Sequence, residues 1–301
     1  MLSRVAENLY WISRYVERAE AAARLLDDAY HRELDVGIIG NGTAARPLAA
    51  AARLLGCPAG PIGREALLDC LTFAPAGQHS IRAMIARARE NARGSQETLS
   101  AEAWSQLNQL HLYLGGPRAR ERLHSSPFRF FDRIRRACLL FAALVDGTLS
   151  RGEVFSFIQL GRSLERADLT ARFVQSGFAD DGPAWDSLLR VCSAHEAYIQ
   201  RYQDRVEPEG VVDVLVLASD FPRSVRYRVA RCLEALRRIS GGGPGDLGGT
   251  AAERRLGRLD GDLRYTDAIE VCGRGAPTFL AGVLDSLARA GGEIQDTYFL
   301  T

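Results

Sequence analysis

The feature that most constrains this chain is the spacing of its apolar residues. They recur every three or four positions over nine long stretches: 5–29, 80–96, 101–114, 128–149, 154–178, 184–205, 221–239, 251–265 and 277–298. That period puts one apolar face on an α-helix, whereas a half-buried strand needs strict alternation. Alternation is nearly absent. The one β-branched run, Gly210 to Ala218 (GVVDVLVLA), has helices predicted on both sides and no partner strand, so it reads as a short buried helix. The expected fold class is all-α: a single helical-bundle domain spanning 1–301. Two segments break the pattern. Residues 37–63 are rich in Gly, Pro and Ala, with a possible short helix at Leu48 to Leu55, and 241–249 (GGGPGDLGG) reads as a flexible loop. Start signals are Ser100 ahead of Glu102, and Asp220 ahead of Phe221-Pro222.

Composition excludes several chemistries. The chain has 38 basic and 37 acidic residues, a net charge of +1, and every base is Arg. With no Lys there is no Schiff base, no Lys nucleophile and no P-loop Lys on a phosphate. The balanced charge argues against a nucleic-acid or anionic-membrane binder. The longest apolar run, Ala137 to Val145, is half a membrane span. Six scattered cysteines (Cys57, Cys70, Cys138, Cys192, Cys232, Cys272) form no CxxC pair, and the N-terminus lacks a signal-peptide core. These point to reduced thiols in a cytoplasmic protein. Trp11, Trp104 and Trp185 are expected to anchor the core.

The strongest motif is an internal repeat. Arg14-Tyr-Val-Glu17-Arg18-Ala19-Glu20-Ala-Ala-Ala-Arg24 matches Arg162-Ser-Leu-Glu165-Arg166-Ala167-Asp168-Leu-Thr-Ala-Arg172 at a separation of 148 residues. On helices over 5–29 and 154–178, Glu17, Glu20 and Arg24 fall within about 60° of arc, as do Glu165, Asp168 and Arg172. Arg14, Arg18, Arg162 and Arg166 flank those faces. A charged face opposite an apolar one is usually solvated. Two matching copies suggest instead that the faces meet across an inner polar cluster or line a shared cleft, with Arg forks opposite buried carboxylates. Glu17 and Glu165 are then the candidate general bases.

Other constellations carry less. Arg89-Glu90-Asn91 with Arg82 and Arg93 makes either an anion clamp or a surface face. Phe221-Pro-Arg223-Ser-Val-Arg226 offers two Arg and free N–H groups at a helix start, either a phosphate or carboxylate site or an ordinary cap. Cys192 and His195 are spaced i,i+3, but a buried Cys and a partly buried His are the simpler reading. His31, His79 and His111 have no ligand spacing. The single Glu-x-x-His, Glu121 to His124, runs into Ser-Ser-Pro, so no metal site is expected.

Taken together, Met1-Leu-Ser-Arg-Val-Ala-Glu-Asn-Leu-Tyr-Trp11 running into Glu17-Arg-Ala-Glu20, Ser80-Ile81 with Ala88 to Arg93, Trp104 with Leu107-Asn108, Leu160-Gly-Arg162 with Glu165 to Asp168, Cys192-Ser-Ala194 with Tyr198, Phe221 to Val225, and Thr297-Tyr-Phe299 resemble the alpha-E family. These are helical bacterial proteins, and the match keeps its order over nearly the full length. It departs at 37–63 and 241–249. The resemblance implies partnership with a circularly permuted ATP-grasp enzyme and a transglutaminase-like protein in an amide- or peptide-forming pathway, with a peptide or amino-acid substrate. This chain would then need no cofactor of its own, ATP and Mg being bound by the ATP-grasp partner. It would act as an accessory that positions substrate, or as an enzyme using its Glu/Arg face, or as a structural scaffold.

Overall fold

The computed structural model describes residues 1–39, 47–56, 63–74, 80–179, 184–203, 205–241 and 249–299. Among them are fifteen α-helices and no strand. In chain order the helices are α1 (Ser3–Ile39), α2 (Pro47–Leu54), α3 (Arg64–Phe73), α4 (Ile81–Arg93), α5 (Ala101–Gly115), α6 (Ala119–Ser125), α7 (Pro127–Thr148) and α8 (Glu153–Gly177). They continue with α9 (Trp185–Val191), α10 (His195–Tyr202), α11 (Pro208–Val212), α12 (Val225–Ser240), α13 (Ala251–Arg264), α14 (Ala268–Arg274) and α15 (Ala276–Tyr298). No described helix is long and apolar enough to cross a membrane.

The chain groups into two compact units: a split unit, Met1–Arg14 with Ser150–Thr301, and a continuous unit, Tyr15–Leu149. In the split unit α8 is the central helix. It is buried without a break from Phe155 to Gly161 and packs on α12 and α15, with α13 against both of those. In the continuous unit α5 packs on α4 and α7, and Ile134, Cys138, Phe141 and Val145 line the inner face of α7.

Helix order runs in parallel through the two stretches. Pro47 and His195 open α2 and α10, Arg64 and Pro208 open α3 and α11, and Ile81 and Val225 open α4 and α12. Ala101 and Ala251, Ala119 and Ala268, and Pro127 and Ala276 open the last three pairs. The caps repeat as well. Ser80 accepts from the Ala83 N–H and donates to the Ala74 carbonyl six residues back; Ser224 accepts from Tyr227 and donates to Ala218, also six back. Each serine closes its helix's first turn and the loop before it.

Some sequence expectations change here. The stretch 184–205 is two helices, because Ser193 turns left-handed (φ 52°) between α9 and α10. The start expected at Asp220 lies at Ser224, so Phe221, Pro222 and Arg223 form the loop before α12. The Gly210 to Ala218 run is helical as expected, but its second part, Asp213–Leu217, is a π-helix. Leu48 to Leu54 falls on α2, with Leu55 just past its end; 40–46, 57–62 and 242–248, with Cys57 and His79, lie outside the described residues.

Candidate functional site: the two Glu-Arg helices

A glycine sets the geometry of the split unit. A Cβ on Gly161 of α8 would collide with the Tyr10 carbonyl and the Ser13 hydroxyl of α1, so only glycine lets the two backbones approach this closely. Ser13 and Gly161 stand in register with the self-match, which places the crossing one residue before Arg14 and Arg162. From there Arg14 reaches α8: its Nε donates to Glu165 Oε2 at 2.6 Å and its Nη1 to the Tyr10 hydroxyl at 2.8 Å. The guanidinium also lies over the Trp11 ring at 4.9 Å. Only 12% of the Arg14 side chain and 1% of the Glu165 side chain are exposed.

Burial by itself would lower the Arg14 pKa, but the Glu165 carboxylate and the Tyr10 oxygen outweigh it and hold the guanidinium above its ordinary value. Burial raises the Tyr10 hydroxyl, and nearby Arg14 partly offsets this. The result is a closed charge-assisted set, in which each partner would be costly to leave alone. One turn on, Asp168 accepts two bonds from Arg172, at 2.7 and 3.1 Å. That pair faces outward: Arg172 is 49% exposed.

In the continuous unit, Glu17 and Glu20 are buried, and Glu20 accepts from Arg24 of its own helix. The Cys138 thiol of α7 lies in their field: burial pushes its pKa well up, and the Glu20 and Glu17 carboxylates push it further. Farther along α1, Asp27 pairs with Arg135 at 3.2 Å, and burial raises its pKa against that attraction. The charged faces are therefore not solvated stripes. Among their carboxylates, Asp168 alone is more than one-tenth exposed.

The Arg89 to Arg93 and Arg223 to Arg226 clusters are bonded to their own neighbours. Arg89 donates to Asn108 at 3.1 Å and to Glu90 at 2.5 Å, and Arg93 donates to Glu90 at 3.0 Å. The hydrogen bonds from Arg93 and then Arg89 lower the Glu90 pKa, so the expected anion clamp is already filled by its own carboxylate. Arg226 donates to the Leu217 carbonyl at 3.2 Å, the Arg223 carbonyl accepts from Thr170 at 3.1 Å, and Ser224 occupies the α12 N-terminus. That start is an ordinary cap. His195 sits 3.3 Å from Asp186, beyond the Ser193 turn that breaks its helical register with buried Cys192. His124 lies 3.0 Å from Asp69. Among the described residues no group of three or more His, Cys, Asp or Glu could hold a metal ion.

Two features escaped the sequence reading. Arg228 is buried on α12 and donates to the Pro222 carbonyl at 2.5 Å. The second is a further self-match. Ser80-Ile-Arg with Ile85-Ala-Arg87, Glu90 and Arg93 recurs as Ser224-Val-Arg with Val229-Ala-Arg231, Glu234 and Arg237. The signal was available, but at a separation of 144 residues, so a comparison held at 148 passes over it.

Comparison with known proteins gives one match. The Alpha-E family model, described as a predicted alpha-helical domain with a conserved ER motif, covers residues 1–299. No curated protein and no solved structure matches the chain. Four Glu-Arg dipeptides occur here, at 17–18, 121–122, 165–166 and 253–254, and the first and third lie in the self-match on α1 and α8. With the family model running essentially from end to end over an all-helical fold, the chain belongs to the Alpha-E family.

Proposed function

We propose that this chain is a non-catalytic helical partner of a circularly permuted ATP-grasp enzyme, working in a cytoplasmic, amide- or peptide-forming pathway that also uses a transglutaminase-like protein. Its task is to dock on that enzyme and help position a peptide or amino-acid substrate. ATP and Mg belong to the enzyme. The observation that carries the non-catalytic part is the closure of the Arg14–Glu165–Tyr10 set, in which the carboxylate is 1% exposed and bound to a guanidinium. A general base must reach a proton on its substrate. Glu165 is committed to Arg14, and Glu17 is buried as well, so these residues serve better as internal struts. The complete lack of Lys adds support, because phosphate chemistry of the usual kind would have to come from another chain.

Co-purification with the ATP-grasp protein, followed by its ATP turnover with and without this chain, tests the proposal. A stable complex with altered turnover is expected. Absence of a complex together with unchanged turnover overturns it, and turnover of a peptide substrate by this chain alone would return the reaction to the Glu-Arg helices.

A further inference from the structure

An open groove of about 370 Å³ runs between α5 and α7 of the continuous unit. One wall is a helical stripe of α5, Gln106, Gln109, Leu110 and Tyr113 at i, i+3, i+4 and i+7; the other is Arg133, Arg136, Ala137 and Leu140 of α7 at the same spacing, with Asp132 beside them and paired with Arg136 at 2.6 Å. The helices run antiparallel there, because Gln106 donates to the Ala137 carbonyl at 3.1 Å while Arg133 lies over the Tyr113 ring at 4.7 Å.

The two ends differ in chemistry. At one end the Tyr113 ring carries two guanidinia, Arg133 on one contact and Arg122 of α6 at 5.1 Å on the other. Both arginines are exposed and stack on the same ring. Stacking on an aromatic ring holds a guanidinium in place while leaving its N–H fork open to an oxyanion. At the other end lie Gln106 and Leu140, the latter 48% exposed, with Leu110 buried between the two ends.

The corresponding stripes of the other unit, on α13 and α15, are built differently. Arg255 donates three bonds to Glu293 at 2.5 to 3.0 Å, Arg289 lies 2.9 Å from Asp285, and Asp262 stands where α5 carries Tyr113. The cations there are consumed by the protein's own carboxylates. In the α5–α7 groove Arg136 is likewise paired, with Asp132, but Arg122 and Arg133 are arranged on an aromatic ring.

We infer that the α5–α7 groove docks an acidic segment of a partner protein, with carboxylates on Arg122 and Arg133 and an apolar side chain against Leu140. The volume suits a stretch of a few residues. This inference does not depend on the identity of the enzyme partner above.

The test uses the full chain and a fluorescein-labelled Glu-Glu-Leu-Glu-Glu-Leu peptide read by anisotropy, with a Lys-for-Glu version and a single-stranded DNA oligonucleotide as comparisons. Saturable binding of the acidic peptide alone is expected. It should fall at least about tenfold in the Arg122→Gln/Arg133→Gln double variant, and again in Tyr113→Leu, which keeps both charges but removes the ring that orders them. Arg289→Gln should leave it unchanged. Each substituted residue is at least partly exposed, and circular dichroism confirms the fold. No saturable binding, equal loss in Arg289→Gln, or oligonucleotide binding with the same dependence on Arg122 and Arg133 overturns the inference.

Discussion

The same motif does two jobs in this molecule. On α8, Glu165 receives its guanidinium from a different helix, through Arg14 of α1. On α1, Glu20 receives one from its own helix, four residues along, through Arg24. A pair between helices fixes how they cross and at what register. A pair within a helix neutralises a buried carboxylate but carries no information about the neighbours. The distinction also follows the backbone: the cross-helix pair sits beside Gly161, where the two chains come closest. The within-helix pair is common to both copies of the pattern, since Asp168 takes Arg172 as Glu20 takes Arg24.

The largest expected effect sharpens that contrast. Glu165→Ala leaves Arg14 buried without its carboxylate and should lower stability by about 3–5 kcal/mol. Asp168→Ala, three residues away but breaking an outward pair, should cost less than about 1 kcal/mol. Urea unfolding of both variants measures the difference; equal losses would mean that the cross-helix pair has no special weight.

The caps probe where the two stretches agree. Ser80→Ala and Ser224→Ala each remove the same pair of bonds and should each cost about 1–2 kcal/mol. Clearly unequal costs would break the correspondence of α4 with α12.

The smallest effect concerns pH. Burial raises the Cys232 thiol from its ordinary 9.0 to about 12. A folded pKa above the unfolded one gives stability that is complete below the unfolded value and is lost as pH climbs from about 9 towards 12. Between pH 8 and 9.5 that loss is on the order of 1 kcal/mol for the thiol. Cys232→Ala should lessen the alkaline decline by this amount, and Cys138→Ala in the other unit should lessen it too, since burial also raises that thiol. A Cys232→Ala curve parallel to that of the parent protein would refute the assignment.

Long elements were legible because period outweighs detail. Val5 to Ala29, Phe128 to Leu149 and Pro277 to Tyr298 lie within α1 or within a residue or so of α7 and α15. Short ones were not. Helices α3, α6 and α14 have 10, 7 and 7 residues, too few turns for an apolar face to declare itself. The break at Ser193 could not be read either, since a serine at positive φ leaves no compositional trace, whereas Gly241 at φ 74° does. Of the site, the sequence showed which residues share a face but not whether water covers it. Glu165 and Asp168 are three positions apart in one motif and end up 1% and 15% exposed. That outcome depends on neighbours hundreds of atoms away along the chain.

Because the split unit takes its first fourteen residues from the start of the chain and the rest from beyond Leu149, it cannot form in the order it is made. Leu9, Tyr10 and Ile12, fully buried at the end, leave the ribosome more than a hundred residues ahead of α8. At about 5–20 residues per second that is a wait of roughly ten seconds or more. The early strip of α1 is thus a nascent apolar segment that waits for the helix it packs on.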